Sequence, residues 1–218
     1  MTPTTLILVR HGETDSNIRG LLHGQTDVPL TARGLAQARL VAARLGREPD
    51  IAALYASPLQ RAWRTAELIG AAIGRAPVAV DGLMEIDFGL VEGLTYEEAL
   101  ARHPELRLAD RNAAEDDDLQ WPRGESRNGF HRRVSATLRD LLARHDGEKI
   151  VVTAHGGVIS RGLTDLLGEA GASWRRYQVA NCAVTQLAWC AGAVEIACLD
   201  DQTHLADLAP AEPTRASD

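Results

Sequence analysis

Lysine is scarce in this chain, and the formal net charge is −7 over 218 residues. Those two shortages remove the broad basic surface that nucleic acid or an anionic membrane would need. Cysteine is nearly as sparse. Cys182, Cys190 and Cys198 are odd in number and sit in apolar runs near the C-terminus, which reads as buried free thiols and not as a disulfide framework. No Cys-x-x-Cys pair is present, so a structural zinc site has no support and no metal is expected. A basic segment leading into an apolar signal core is also missing, and Leu6 to Val9 is too short to enter a bilayer. The expectation is a soluble, cytoplasmic protein, without nucleic acid or membrane as partner.

What the chain does have is an alternation of strand-like and helix-like segments. Thr5 to Arg10 is an unbroken apolar strand, and Ile51 to Ala56, Pro77 to Val80 and Ile150 to Ala154 follow as further strands. Between them, Thr31 to Leu45 reads as a helix with Thr31 as N-cap and Leu35, Ala38, Ala42 and Leu45 on one face. Ser57-Pro58 reads as the opening of the next helix, a capping hydroxyl followed by proline at the first helical position. Ser126 is placed as the cap of a helix carrying Phe130, Val134, Leu138, Leu141 and Leu142, and a last helix runs from the Ile150 strand through Leu167. Val184 to Trp189 and Val194 to Leu199 suit a hairpin across Ala191-Gly192. From Glu97 to about Trp121 the periodicity weakens, and Asp116-Asp117-Asp118 reads as a solvated loop.

This order predicts a three-layer α/β/α sandwich with a mostly parallel central sheet. No repeat or linker divides it, so residues 1–204 are expected as one domain and 205–218 as a flexible tail. Ligands of such sheets bind outside the carboxyl ends of the strands.

Two strands end there in the same way. Leu6-Ile7-Leu8-Val9 runs into Arg10-His11-Gly12-Glu13-Thr14, and Ile150-Val151-Val152-Thr153-Ala154 runs into His155-Gly156-Gly157. A neutral imidazole at His11 can attack phosphorus, Gly12 lets the backbone turn tightly, and Arg10 offers a planar fork to phosphate oxygens. His155 is the candidate to hydrogen-bond a transferring oxygen and stabilise its charge. Arg61 falls in the first turn of the helix after Ser57-Pro58, where amides and dipole also favour an anion. Ester cleavage further needs a proton for the leaving alkoxide. Glu85 has apolar flanks of the kind that raise a carboxyl pKa toward a general acid's range, with Glu92 and Asp87 as rivals.

Taken together, these segments resemble the histidine phosphatase superfamily, the phosphoglycerate mutase-like group, over most of the chain from Leu6 to about Leu187. Arg10-His11-Gly12-Glu13-Thr14 is similar to the segment around its nucleophile, and Ser57-Pro58-Leu59-x-Arg61-Ala62 to its second phosphate-binding segment. Leu83-x-Glu85-x-x-Phe88-Gly89 with Glu92-Gly93 resembles the acid-bearing segment, and Ala154-His155-Gly156-Gly157 the second-histidine segment. The resemblance implies a transient phosphohistidine at His11, with Arg10, Arg61 and His155 completing the phosphate pocket. It implies Glu85 as proton donor and then as activator of water, with Asn17 and Gly156 touching phosphate. It further implies no cofactor, a small phosphorylated metabolite as partner, and a homodimer as the assembly. Trp121-Pro122-Arg123-Gly124-Glu125-Ser126 looks like the segment that enters the lid side of the site.

One phosphohistidine serves two outcomes, hydrolysis or return of the phosphoryl group to a bound phosphoglycerate. The family's glycolytic mutases usually carry a longer insertion after the acid and an Arg-x-Tyr-Gly-type context beside it. Here Ile86-Asp87-Phe88-Gly89 follows Glu85 and the Trp121 segment arrives soon after, which favours a metal-independent phosphomonoesterase. The alternatives are a cofactor-dependent phosphoglycerate mutase and a silent phosphate-binding or scaffolding domain. Loss of the nucleophile or acid would mark the silent form, and neither residue is lost. Selectivity is expected in the His23 to Asp27 loop and the Glu97 to Arg127 region.

Overall fold

The computed structural model describes residues 2–106, 119–190 and 192–208. Its centre is a six-stranded sheet built from β1 (Thr4–Arg10), β2 (Ile51–Ala56), β3 (Val78–Ala79), β4 (Lys149–Ala154), β5 (Val184–Cys190) and β6 (Ala193–Asp201), in the order β3-β2-β4-β1-β5-β6. β1 lies parallel to β4, as β4 does to β2 and β2 to β3, whereas β5 and β6 run antiparallel on the far side. The mostly parallel sheet expected from the alternation is therefore present.

Side chains along β1 divide between two cores, as the two-residue period of a strand requires. Leu6 and Leu8 join Ile150 and Val152 of β4 on one face, against Val134, Leu138 and Leu142 of α5 (Arg127–Arg144) and Val158, Ile159 and Leu163 of α6 (Gly156–Leu166). Ile7 and Val9 join Val151 on the other face, against Ala38, Val41 and Leu45 of α2 (Ala32–Leu45) and Ala66 and Ile69 of α3 (Gln60–Ile73). Burial on both faces explains why β1 and β4 read as continuous apolar runs. Helices flank the sheet on both faces.

Thr31 and Ser126 cap α2 and α5 as expected, accepting from the amides of Gly34 (2.9 Å) and Gly129 (3.0 Å). Ser57 does not cap α3. That helix starts at Gln60 with Leu59 at the N-cap, and the Ser57 hydroxyl is drawn to His155 instead. Two short helices were not expected: α1 (Asp15–Ile18) and α4 (Tyr96–Arg102). Each is closed by a reciprocal capping box, Thr14 with Asn17 and Thr95 with Glu98. The Thr95-x-x-Glu98 spacing straddles the start of the stretch of weak periodicity at Glu97, and α4 runs into that stretch. The strand expected over Pro77 to Val80 shrinks to two residues, and the terminal hairpin is longer than expected.

The cysteines are free, but only Cys182 is buried; Cys190 is exposed and Cys198 half-buried. β6 is an edge strand that exposes alternate side chains, and Cys190 ends β5 at the hairpin turn, which is where the burial expectation fails. Leu205 closes a 3₁₀ turn and packs on the Ile7 side of the sheet. The acidic run at Asp116, the remainder of the tail from 209 and the turn residue Ala191 lie outside the described residues. Among the described residues, no helix is long and apolar enough to cross a membrane.

Candidate active site

The carboxyl ends of β1, β2 and β4 are tied together directly beyond the sheet. His11 donates its amide to the Ala154 carbonyl at 2.9 Å, Ser57 to Thr153 at 3.0 Å, and Cys182 to Arg10 at 3.0 Å. Over this knot lies a cavity of about 530 Å³ lined in part by Arg10, His11, Asn17, Glu85 and Gly156. Five of the residues singled out in the sequence thus meet at one surface. Arg61 and His155 are wholly buried and do not line it. They stand behind the His11 ring: the two imidazole centroids are 5.2 Å apart, and the Arg61 charge bears on both rings.

The tautomer of His11 follows from its partner. Nδ1 lies 2.7 Å from the Gly12 carbonyl, which can only accept, so Nδ1 carries the proton and Nε2 keeps a lone pair. Burial, followed by the Arg61 and Arg10 charges, holds the His11 pKa well below the usual imidazole value, so the ring is neutral. His155 is depressed in the same way, by burial first and then by Arg61 and His11. Its Nε2 meets the Ser57 hydroxyl at 2.8 Å.

Gly12 earns its place by close approach. Its amide donates to Thr65 Oγ1 at 3.1 Å, and a Cβ here would run into the Gly34 carbonyl at the start of α2. Asn181 donates to the His11 carbonyl at 2.9 Å and to Asn17 Oδ1 at 3.2 Å. Asn17 Oδ1 also accepts from the Thr14 amide, so the carbonyl end of that side chain is committed to the α1 cap. Its NH₂ end is the one left to offer a ligand.

Both guanidinium groups are partly spoken for. Arg10 Nη1 donates to the Val179 carbonyl at 2.7 Å, while Arg61 Nη1 and Nη2 hold the carbonyls of Thr26 (3.0 Å) and Gly24 (2.6 Å). Arg61 is pushed down to about 10 by burial, partly offset by Glu85, Asp27 and Glu92. Arg10 Nε, Arg61 Nε and His155 Nδ1 are buried with no hydrogen-bond partner. Arginine Nε can only donate, so Arg10 and Arg61, whose charges both bear on the His11 ring, each keep a buried donor without an acceptor there.

The three candidate acids separate cleanly. Glu92 ties the 24–26 loop, accepting from the amides of Gln25 (2.8 Å) and Thr26 (2.7 Å). Asp87 closes a turn through the Gly89 amide at 2.8 Å. Glu85 lines the cavity, its Oε2 accepting from the Gly157 amide at 2.9 Å and its Oε1 from Ile86 at 3.0 Å. A Cβ on Gly157 would collide with that carboxylate.

Several lining residues were not anticipated. His23, whose ring centroid is 6.1 Å from that of His11, is pushed down to about 4 by burial and then by Arg61. It lies in the loop read as a selectivity element, but nothing in its local sequence marks it as a site residue. Trp121 lines the cavity and meets Phe88 edge-on at 4.7 Å, in keeping with the placement of its segment beside the site. Arg161 on α6 and Trp174 and Arg175 on the 3₁₀ segment Gly171–Tyr177 also line it.

Residues 6–202 match the histidine phosphatase superfamily (branch 1), and the chain belongs to that family. It is 39% identical over 155 residues to phosphoglycerate mutase-like protein 4 of Arabidopsis thaliana, a match covering 71% of this chain and 67% of that one. The Enterobacter protein named probable phosphoglycerate mutase GpmB is 32% identical, over 91% of this chain and 93% of its own. Against a longer bifunctional protein of Mycobacterium tuberculosis the match spans 42% of the relative's length. Among solved structures, a phosphoserine phosphatase from Entamoeba histolytica in complex with phosphoserine superposes with a TM-score of 0.80 at 30% identity, covering 93% of this chain and 99% of that one.

Proposed function

We propose that the protein is a metal-independent phosphomonoesterase working through a phosphohistidine at His11. In the first step His11 Nε2 attacks phosphorus, the P–O ester bond breaks, and Glu85 gives its proton to the departing oxygen. In the second, water attacks the phosphohistidine, Glu85 takes up the proton, and inorganic phosphate leaves. Arg10 and Arg61 supply the positive charge, while His155 and the Asn17 amide contribute hydrogen bonds to the transferring oxygens. Gly156, at the first position of α6, lets that group approach the backbone.

The observation that carries this reading is the conjunction at His11. A neutral ring with its lone pair at Nε2 lies under the charges of Arg10 and Arg61, each of which keeps a buried Nε donor without a partner. A phosphoryl group presents both the electrophile and the oxygens those atoms need. Hydrolysis is favoured over transfer because Ile86-Asp87-Phe88-Gly89 follows Glu85 in place of the mutase-type context, and because the solved neighbours include phosphatases. The name of the Enterobacter relative keeps a mutase as the second reading. Free cysteines fit a reducing, cytoplasmic setting.

The test is chemical trapping. Brief exposure to a labelled phosphomonoester, followed by quenching, is expected to leave an acid-labile label on His11 and to release inorganic phosphate. His11→Ala should abolish both while the protein stays folded. Near-normal phosphate release by that variant would overturn the assignment. Isomerisation of 3-phosphoglycerate that depends on added 2,3-bisphosphoglycerate would select the mutase.

A further inference from the structure

We propose that Arg133 is the positioning residue of the proton-donating step: its guanidinium grips the backbone that aims Glu85 and ties it to the 121–126 segment. The inference rests on the phosphatase reading and adds to it the device that places the acid.

Glu85 lacks the support given to the two histidines. His11 and His155 follow strands of one paired ladder, whereas Glu85 lies between the 3₁₀ turns Asp81–Leu83 and Gly89–Val91, in a stretch that is neither helix nor strand. A side chain on such a stretch is aimed only as well as its backbone is anchored from outside. Arg133, in the second turn of α5, supplies the anchor. Nη1 donates to the carbonyls of Gly82 (3.1 Å) and Met84 (2.8 Å), and Nη2 to that of Glu85 itself (3.3 Å). Nε and Nη2 also hold the two carboxylate oxygens of Glu125, at 3.0 and 2.7 Å. Every N–H of the guanidinium is engaged by these five bonds. The group lies over the Phe130 ring, 5.2 Å from its centroid.

Neighbouring contacts show that the clamp serves the acid segment in particular. α5 abuts that segment so closely at Gly82 that a Cβ there would strike Thr137 Oγ1. The Glu125 amide donates to the Asp87 carbonyl at 2.8 Å, so the chain is held on both sides of Glu85. Gln25 Nε2 reaches the Glu85 carbonyl as well, at 3.2 Å. Arg133 itself does not line the cavity, so it acts through Glu85 and not on the substrate. A lysine could not take its place, because one ammonium cannot hold a carboxylate bidentately and reach three carbonyls at once.

The test follows the acid and not the fold. Arg133→Lys keeps the charge and loses the fork. With glycerol 3-phosphate its kcat should fall about 10²-fold at nearly constant KM, the scale of a misplacement of about 1 Å. With p-nitrophenyl phosphate, whose leaving group needs little protonation, the loss should stay below about tenfold. In a Glu85→Gln background the same substitution should cost less than about threefold further, because the group it positions is gone. Equal losses on the two esters, or losses that multiply in the double variant, would overturn the inference and leave the phosphatase reading intact. If Arg133→Lys does not fold, Arg133→Met combined with Glu125→Leu removes both charges together, leaves neither ion unpaired, and is put through the same comparisons. Collapse of both variants would assign Arg133 to the fold alone and overturn the inference too. A parent protein that hydrolyses neither ester, or a Glu85→Gln variant with unaltered kcat on glycerol 3-phosphate, would overturn the reading underneath and the inference with it.

Discussion

Gly157→Ala tests the acid assignment without touching the acid. The new Cβ would collide with Glu85 Oε1, closer than real contacts allow, and lie 3.0 Å from the carboxyl carbon. The obstacle is the tip of a side chain and not backbone, so Glu85 swings aside at little cost to the fold. Alanine in the first turn of α6 also returns up to about 1 kcal/mol of helix propensity, offsetting the loss of the 2.9 Å amide–carboxylate bond. The melting temperature should therefore move by only a few degrees. Catalysis should suffer selectively. A positioned general acid contributes roughly 10²- to 10⁴-fold, and only where the leaving group needs a proton. With an alkyl phosphate kcat should fall by about two orders of magnitude or more, while p-nitrophenyl phosphate should lose less than about tenfold. Parallel losses on both substrates in a folded variant would refute the role given to Glu85, as would full activity on the alkyl ester.

Gly12→Ala should behave in the opposite way, because its Cβ meets the backbone carbonyl of Gly34, which the Thr31 cap holds in place. A denaturant titration should show a loss of about 2 kcal/mol or more, within the range of overpacking and backbone strain, and a stability within 0.5 kcal/mol of the parent would contradict the packing argument. Acid stability carries a defined sign. Above the usual imidazole pKa neither folded nor unfolded chain holds the His11 and His155 protons; below it the unfolded chain binds them first, because burial depresses both folded-state values. Stability contributed by these two rings should fall as pH drops through the usual imidazole value of about 6.5 and go on falling below it, with a slope approaching about 1.4 kcal/mol per pH unit for each. His11→Ala should flatten that slope, and an identical pH dependence in the variant would count against a buried neutral His11.

Much of the site was legible because it hangs on strand ends. Unbroken apolar runs identify β1 and β4, and the residues that terminate such runs in a parallel sheet must emerge together at its carboxyl edge. Arg10, His11, His155 and Gly156 are placed by that rule alone. Glu85 was harder. Three carboxylates share one short segment, and only the loop bonds taken up by Glu92 and Asp87 tell them apart. The Ser57 cap was misread because a hydroxyl before proline satisfies the local pattern equally well, whereas its partner His155 is 98 residues distant. Arg161 and Arg175 gave no signal. An arginine on a helix usually faces water, and only tertiary packing around Trp174 gathers these two on a cavity wall.

The pairing of β1 with β4 has a further consequence. Arg10 and Ala154 are register partners, so the two histidines that follow them are set side by side by the interstrand repeat and not by a movable loop. Under the proposed mechanism, the spacing of the two rings is inherited from a ladder at the centre of the sheet. Warming or denaturant should then leave turnover intact until the central strands themselves part, so that inactivation and collapse of the fold arrive as a single event.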